Sequence, residues 1–553
     1  MAGGTWIDQN KVRPGVYINY SSSPATLASM GERGVVCIGK QLSWGTDDDF
    51  IIIEDPNDCF TKLGYDQLSD ELIWLRQLLV GTNRTDGASR LLIWRLGCTG
   101  AAAATAVQNE TITAAKAGAV VGNLTCEAVT AGSAGNKLSI QIVADNGHFN
   151  VTVLNNGEAT TGGTFTAVDN VSDLTDTTLV SFSGTGALSA TPDGEALSFT
   201  GGVDAFSGSL AVTANYKGVR GNDISVIVTA DPDNDDTRCI FYVQTLVDGS
   251  LVDSQTLKAS ASTVALSGLV NNDWVSFSST GNAFATSITL TGGADGTVSA
   301  NAYSEFLSAA ELKTWNVLAY GGSDAVIKSA VTSFVKRLSN DEGKKVQACL
   351  WNYPSADNEC VISVAPQHIK DLSGHTFTDE EMVCWVAGST AGASVSQSLT
   401  YAAHPDAVSI NPVFTSSQQI DAINAGQFAF IEEFGSIKNL QDNNTFTTFA
   451  PTKGKAFRKN RVIRTIFGLA NDIYRVFAQY YIGNTNNDET GRSLLKAEIL
   501  ELLYRYQGNI AVQNVIADDV TVSPGSDSDA VVIECYVQPV DSIEKIYINI
   551  TIS

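Results

Sequence analysis

The sequence predicts a discontinuous α/β (α+β) core, interrupted by inserted all-β tandem modules and extended at both ends by strand-forming arms. Three observations lead to this fold class. Strand and helix patterns alternate before residue 98 and again after residue 300, which is typical of α/β layers. Short β-like runs fill residues 101–298, where Ala, Gly, Ser, Thr and Asp dominate. Apolar residues alternate with others near both termini.

The α/β pattern is clearest in a few segments. GVVCIGK and RLLIWRL are compact apolar strands, and DELIWLRQLLVG between them is helical. After residue 300, NVLAY and VQACLWN are predicted strands, and SAVTSFVKRLSND is an amphipathic helix. DEEMVCWVAGSTAGASVSQSLT is a helix rich in small residues, and two further helices are predicted over 460–481 and 493–507.

The β-rich region repeats itself. AGNKLSIQIVAD at 134–145 resembles RGNDISVIVTAD at 220–231, and two further pairs, LVSFSGTG with WVSFSSTG and LSFTGGVDA with ITLTGGADG, follow in the same order. Two tandem modules, each the size of a small sandwich, are therefore predicted. The predicted domains are an N-terminal arm at 1–20, an α/β domain at 21–98 and 300–434, module 1 at 99–206, module 2 at 207–299, and a C-terminal domain at 435–553 ending in a strand arm.

The composition describes a folded, acidic protein. Apolar residues make up 44% and charged residues 17% of the chain, and the net charge is −25. Such a charge repels phosphates, so neither nucleic acid nor membrane is expected as a direct partner. The N-terminus lacks the apolar segment of a signal peptide, so synthesis in the cytoplasm is expected. The nine cysteines occur singly, which predicts reduced and mostly buried thiols.

No catalytic or metal-binding pattern is evident. The four histidines lack metal-ligand spacing, so no cofactor and no enzymatic activity are expected. GSTAGAS at 388–394 could be a phosphate loop, but it lacks the P-loop lysine, and close helix packing is favoured. DPDNDD at 231–236 resembles the start of a calcium loop but lacks the required glycine and terminal glutamate, so a solvated loop is favoured.

The two termini are candidate inter-subunit strands. At the C-terminus, Ile546, Ile548, Ile550 and Ile552 share one strand face, opposite Tyr547 and Asn549. This segment is either an edge strand of its own sheet or a strand given to another subunit. The N-terminal candidate strand follows Pro14-Gly15 and consists of Val16, Tyr17, Ile18, Asn19 and Tyr20.

A basic run stands out in the acidic chain. KGKAFRKNRVIR at 453–464 has six Lys or Arg among its twelve residues, and no acidic residue lies between Asp442 and Asp472. A helical wheel of the following segment separates an apolar stripe from a basic one. The basic stripe is either a solvated face of a core helix or a contact for an acidic partner, with DNA as a third option. The candidate contact residues are Lys455, Arg458, Lys459, Arg461, Arg464 and Arg475.

Several long motifs resemble one family. KNRVIRTIFGLANDI, YIGNTNNDETGRSLLKAEILELL and VQPVDSIEKIYINITIS resemble the C-terminal domain of contractile phage tail sheath proteins of Gram-positive myophages and defective prophages. GGTWIDQNKVRPGVYINY, GERGVVCIGKQLSWG and WVAGSTAGASVSQSLTY resemble other parts of the same family. The resemblance covers about 1–98 and 300–553, so the β modules are interpreted as an insertion into a complete sheath core.

The resemblance implies a structural function. Sheath subunits polymerise as hexameric rings stacked helically around an inner tail tube, and they contract to drive the tube through a target cell envelope. The expected partners are other copies of this chain, the tube protein, the baseplate and the tail terminator, in a virion tail or a phage-tail-like particle. The resemblance also implies that both arms pair with neighbouring subunits, and the basic stripe is expected to face an acidic tube. A β-module adhesin or receptor-binding protein is the alternative.

Overall fold

The structure is a computed structural model that describes residues 3–4, 16–17, 31, 33–47, 49–235 and 237–552. The chain divides into two compact units. The first combines Met1–Thr99 with Val298–Ser553, and the second is Gly100–Thr297. Among the described residues, no helix has both the length and the apolarity that crossing a membrane requires.

The described α-helices all belong to the first unit. They are α1 Cys59–Leu63, α2 Ile73–Val80, α3 Ala302–Glu311, α4 Ala325–Asn340, α5 Asp379–Gly392, α6 Ser416–Asn424, α7 Asn460–Val476 and α8 Glu489–Gly508.

The strands are numbered along the chain. Those before the second unit are β1 Gly3–Gly4, β2 Val16–Tyr17, β3 Val35–Lys40, β4 Ile51–Ile53, β5 Arg90–Arg95 and β6 Cys98–Thr99. Those of the second unit and its end are β7 Ala103–Ile112, β8 Gly118–Val121, β9 Leu124–Ala128, β10 Leu138–Asp145, β11 His148–Asn155, β12 Glu158–Val168, β13 Val180–Gly184, β14 Leu197–Ser198, β15 Phe206–Lys217, β16 Ile224–Ala230, β17 Cys239–Val247, β18 Ser250–Ala259, β19 Val275–Phe277, β20 Thr280–Gly281, β21 Thr286–Thr289 and β22 Thr297–Val298. Those that follow are β23 Val317–Tyr320, β24 Gln347–Trp351, β25 Val361–Val364, β26 His368–Asp371, β27 Ala407–Asn411, β28 Gln427–Phe428, β29 Phe430–Glu433, β30 Ser436–Asn439, β31 Val520–Pro524 and β32 Val531–Cys535.

A seven-stranded sheet organises the first unit. Its order is β28-β25-β24-β23-β3-β5-β4, and every neighbouring pair is parallel except β4 with β5. Successive strand residues point to opposite faces, so Val36 and Ile38 enter one hydrophobic core while Cys37 enters the other. Helices α2 and α5 cover the first face, whereas α3, α4 and α7 cover the second. The mixed α/β core predicted from the alternating patterns is confirmed.

Small residues allow α5 to pack closely on α2. A Cβ atom at Gly388 would lie 2.0 Å from the carbonyl oxygen of Leu78, and one at Gly392 would lie 2.2 Å from the carbonyl oxygen of Gly87. Ser389, between the two glycines, is buried as well. The interpretation of 388–394 as a packing motif is therefore confirmed, although most of it is helix and not loop.

Helix α7 links the core that contains α3 and α4 to a separate C-terminal cluster. Ile463 and Phe467 of α7 pack into the cluster that contains α3 and α4. Leu469 and Val476, further along α7, pack into a separate cluster with α8 and Val520 of β31. Helix α7 is therefore held between two hydrophobic clusters, and it continues as the π-helix Phe477–Tyr481.

The second unit contains two β-sandwich repeats. In the first, the sheets are β13-β9-β8 and β12-β11-β10-β14; in the second, β18-β17-β16-β21 faces a sheet built on β15. The equivalence extends to single side chains. Asn136 exchanges two hydrogen bonds with the backbone of Gly202, and Asn222 does the same with Gly293. The internal duplication predicted from the sequence is visible in these matched contacts.

One strand that the sequence assigned to module 1 belongs to the second repeat. Strand β7, at 103–112, is antiparallel to β15 and not to a strand of the first repeat. It takes the place beside β15 that β8 takes beside β9. The second repeat therefore combines 103–112 with 206–289, and the first repeat is inserted into the hairpin between β7 and β15.

Candidate assembly site

The last described residues make no strand within their own subunit. Residues 541–552 have no assigned secondary structure. Ile546, Ile548, Ile550 and Ile552 are between 76 and 92% exposed, and Tyr547 is 90% exposed. Asn549 is exposed too. Of the two interpretations drawn from the sequence, the edge strand of its own sheet is wrong for this subunit. The four isoleucines form an uncovered apolar row in this part of the described chain.

A largely buried carboxylate attaches this segment to the domain just before the row of isoleucines at 546–552 begins. Glu544 forms a short ion pair with Lys459, and it accepts hydrogen bonds from Gln441 Nε2 at 2.7 Å and Thr400 Oγ1 at 2.8 Å. Its side chain is 11% exposed. Burial alone would raise the pKa of Glu544, but these hydrogen bonds hold it below its ordinary value. Residue 544 is therefore fixed, whereas residues 546–552 extend beyond the attachment point.

The same domain has an open strand edge. Strands β31 and β32 form a two-stranded antiparallel sheet that no third described strand joins. Val532 of β32 and Tyr536 just after it are 48 and 67% exposed. A two-stranded ribbon is marginal alone, and an uncovered edge offers unpaired N–H and C=O groups to another strand. The domain therefore presents both a free segment of strand-forming sequence and an edge that can receive one.

The N-terminal candidate strand is described only in part. Val16 and Tyr17 form β2, whose backbone pairs in parallel with Gly3–Gly4. The other three predicted residues, Ile18, Asn19 and Tyr20, lie outside the described residues. The chain is described again at Gly31, whose N–H donates a 2.7 Å hydrogen bond to Asp472 Oδ1 on α7.

The prediction that Arg464 faces an external partner is wrong. Its side chain is 0% exposed and forms a short ion pair with Asp442, which is equally buried. The same guanidinium donates a 2.9 Å hydrogen bond to the carbonyl oxygen of Gln397. The helical wheel placed Arg464 on a polar stripe correctly, but that stripe of α7 is covered by the loops that carry Asp442 and Gln397.

The other five basic residues differ in exposure. Arg458 is buried, and Lys459 forms an ion pair with Glu544. Arg475 pairs with Asp472 at 3.2 Å. Arg461 is half-buried and donates a 3.4 Å hydrogen bond to the carbonyl oxygen of Ile510. Lys455 alone among the six is exposed. The run is therefore mainly an internal charge network.

The acidic partners of the run are the residues that sequence reasoning missed. Asp442 and Asp472 bound the acid-free stretch; Asp442 pairs with Arg464 inside it, and Asp472 pairs with Arg475 just after it. Asp472 also accepts a 2.8 Å hydrogen bond from the Tyr506 hydroxyl of α8. The absence of acidic residues between 442 and 472 was the available signal. A buried arginine such as Arg464 needs a carboxylate partner, and here that partner has to come from outside this stretch.

Three features of the subunit bear on its class of protein. The chain has a rigid α/β core and an exposed strand-forming end, and the described residues contain no group of three or more His, Cys, Asp or Glu side chains placed to hold a metal ion. An exposed end of this kind is available for contact with another chain.

Comparisons with known proteins give the family. Models of the phage tail sheath C-terminal, central and β-sandwich domains match residues 452–553, 296–444 and 200–295. The chain is similar to the crystal structure of the sheath tail protein from Desulfitobacterium hafniense, with 35% identity, a TM-score of 0.66, and coverage of 97% of this chain and 99% of that one. The chain belongs to the phage tail sheath protein family.

Further relatives support the same family. The phage-like element PBSX protein XkdK of Bacillus subtilis is 29% identical over 370 residues, which cover 62% of this chain and 77% of that protein. The tail sheath protein of Clostridium phage phiCD119 is 25% identical over 195 residues, 35% of this chain and 52% of that protein. The sheath tail protein of Listeria innocua shares the fold, with 24% identity, a TM-score of 0.64, and coverage of 94% of this chain and 95% of that one. Because a sheath β-sandwich model matches 200–295, the second repeat is a recognised sheath domain and not an addition foreign to the family.

Proposed function

We propose that this chain is the repeating subunit of a contractile tail sheath. Subunits form hexameric rings that stack helically around an inner tube, and the sheath contracts to drive that tube through a target cell envelope. The protein is made in the cytoplasm of a bacterial host and assembled in a virion tail or phage-tail-like particle. The observation that carries the proposal is the exposed C-terminal segment 546–552, whose four isoleucines alternate so that they would share one face of a strand.

Strand donation follows from the energetics of this segment. Ordering seven residues costs roughly 7–14 kcal/mol of backbone entropy, and burying four isoleucine side chains returns roughly 6–12 kcal/mol. The free segment therefore gains nothing by ordering alone. Pairing with a neighbouring subunit adds main-chain hydrogen bonds, each contributing roughly 0.5–1.5 kcal/mol, and these make the free energy of ordering favourable. The uncovered edge of the β31–β32 hairpin is the proposed acceptor, and the N-terminal segment 16–20 is the proposed second link between subunits.

The proposed contact with the inner tube involves fewer residues than the six that the basic stripe suggested. Among the predicted residues, Lys455 is exposed and Arg461 is half-exposed, so these two can reach an acidic surface outside the subunit. A single exposed ion pair contributes less than about 1 kcal/mol, but every subunit of the sheath repeats it. Weak repeated contacts suit a sheath that must hold the tube and then release it. Baseplate and tail terminator are the proposed partners at the two ends.

Electron microscopy of purified protein tests the proposal with a matched pair of variants. Ile548→Asp/Ile550→Asp places two charges on the isoleucine face, and Asn549→Asp/Thr551→Asp places the same two charges on the opposite face. We expect striated tubes or rings from the wild type and from the second variant, and unassembled subunits from the first. Equal assembly of both variants, or of a chain lacking 546–553, would refute strand donation.

A further inference from the structure

Two largely buried carboxylates, Glu544 and Asp472, attach segments near opposite ends of the chain to one helix. Lys459, the N-cap residue of α7, binds Glu544 at the start of the C-terminal segment. Asp472, in the last turns of α7, binds the backbone N–H of Gly31, beyond the predicted N-terminal arm. We call Glu544 the C-terminal root and Gly31 the N-terminal root.

Each root is a specific contact and not a loose surface pair. Glu544 accepts hydrogen bonds from three side chains on different segments, and the Asp472 side chain is only 6% exposed. Asp472 Oδ1 receives both Gly31 and Arg475, while its Oδ2 receives the Tyr506 hydroxyl. Charge-assisted hydrogen bonds of this kind fix geometry better than neutral ones do.

The helix between the roots is held on both sides. Ile463 and Phe467 lie in one hydrophobic cluster, and Leu469 and Val476 lie in another. At 1.5 Å per residue, the backbone positions of Lys459 and Asp472 are about 20 Å apart along the axis. Because interiors this closely packed do not deform continuously, that separation is fixed by the fold.

We propose that α7 carries the attachment points of both arms, so that one rigid helix sets the spacing between the two strands that link a subunit to its neighbours. This inference rests on the proposed sheath function and adds where the links are anchored. The roots stay on α7 while the subunits move, and the C-terminal segment bends beyond Glu544. A sheath can then change its subunit packing without breaking its connections.

The C-terminal root is tested with Glu544→Gln, which keeps the side-chain size and removes the charge. Its control is Glu534→Gln, the same change at an exposed position of β32. Lys545 is exposed and offers trypsin a site directly beside the root. Losing a charged hydrogen-bond acceptor should make cleavage after Lys545 about tenfold faster in Glu544→Gln. The control should be cleaved at the wild-type rate.

The N-terminal root is tested with Gly31→Ala, whose Cβ atom would lie 2.8 Å from Asp472 Oδ1. Its control is Gly454→Ala, where the added Cβ atom has no neighbour within 4 Å. Hydrogen exchange should show faster exchange at residue 31 in Gly31→Ala and no change there in the control. The protein concentration needed for assembly should rise about tenfold in each root variant, since each loses about one charged contact.

The outcomes separate this inference from the proposal it rests on. Root variants with a wild-type melting temperature, faster local opening and weaker assembly would support α7 as the common anchor. Root variants that assemble and resist trypsin like the wild type would overturn it, even if the chain lacking 546–553 fails to assemble. If that truncated chain assembles normally, strand donation itself is wrong.

Discussion

Replacing Arg464 with methionine tests the reinterpretation of the basic run. The guanidinium is completely buried beside the carboxylate of Asp442, which is 1% exposed. Removing one partner of a buried ion pair leaves the other charge uncompensated and costs about 3–5 kcal/mol. The hydrogen bond to the carbonyl oxygen of Gln397 is lost as well. Arg461→Met, on the same helix but half-exposed, should cost less than about 1 kcal/mol.

The assay can use the second unit as an internal reference. Urea unfolding followed by hydrogen-exchange mass spectrometry reports α7 and the β-sandwich strands separately in one sample. We expect Arg464→Met to destabilise α7 peptides and leave the peptides of 100–297 unchanged. Adding Asp442→Asn, which removes the stranded charge and keeps the oxygen that accepts the Leu399 N–H, should recover much of the loss. A cost for Arg464→Met within 1 kcal/mol of that for Arg461→Met would refute the reasoning.

Three further predictions concern the described fold. Burial lowers the pKa of His404 from 6.5 to about 4. The folded protein therefore favours the neutral imidazole, and the free energy of unfolding should be unaffected by this group above about pH 6.5 and fall by roughly 3 kcal/mol as the pH drops to 4. A His404→Gln variant should lose that part of the pH dependence, and an unchanged profile would contradict the prediction. Gly388→Ala, whose Cβ would lie 2.0 Å from the Leu78 carbonyl oxygen, should cost about 1–3 kcal/mol or more in thermal unfolding of the first unit; an unchanged melting temperature would show that the helices can separate. Asn222→Ala breaks the paired amide contacts with Gly293 and should cost about 1–3 kcal/mol in the second unit alone, and a matching loss in the first unit would be inconsistent with separate cores.

Most of the secondary structure and the repeats could be predicted from local patterns in the sequence. The compact apolar runs GVVCIGK and RLLIWRL identified β3 and β5, since a strand covered on both faces reads as a continuous apolar run. The small residues of α5 indicated close packing because glycine is needed where another backbone lies within 2–3 Å of the position that a Cβ atom would take. The duplicated motifs indicated two β-sandwich repeats because matched turns keep matched residues.

Long-range pairings were beyond the same reasoning. A helical wheel gives the side of α7 on which Arg464 lies, but not the loop that covers that side, and Asp442 is 22 residues away. Glu544 lies 85 residues from its partner Lys459. The pairing of β7 with β15 skips the whole first repeat, and no local pattern marks such a partner. In each case the partner is set by tertiary packing, and a single sequence contains no direct record of it.

A cryo-electron microscopy reconstruction of the assembled protein tests the central claim most directly. Strand donation predicts that residues 546–552 run as a strand in a neighbouring subunit, with Ile546, Ile548, Ile550 and Ile552 buried against it and Glu544 still bound to Lys459 of its own chain. The claim would be contradicted by an assembly in which 546–552 folds back on its own subunit or remains outside every interface.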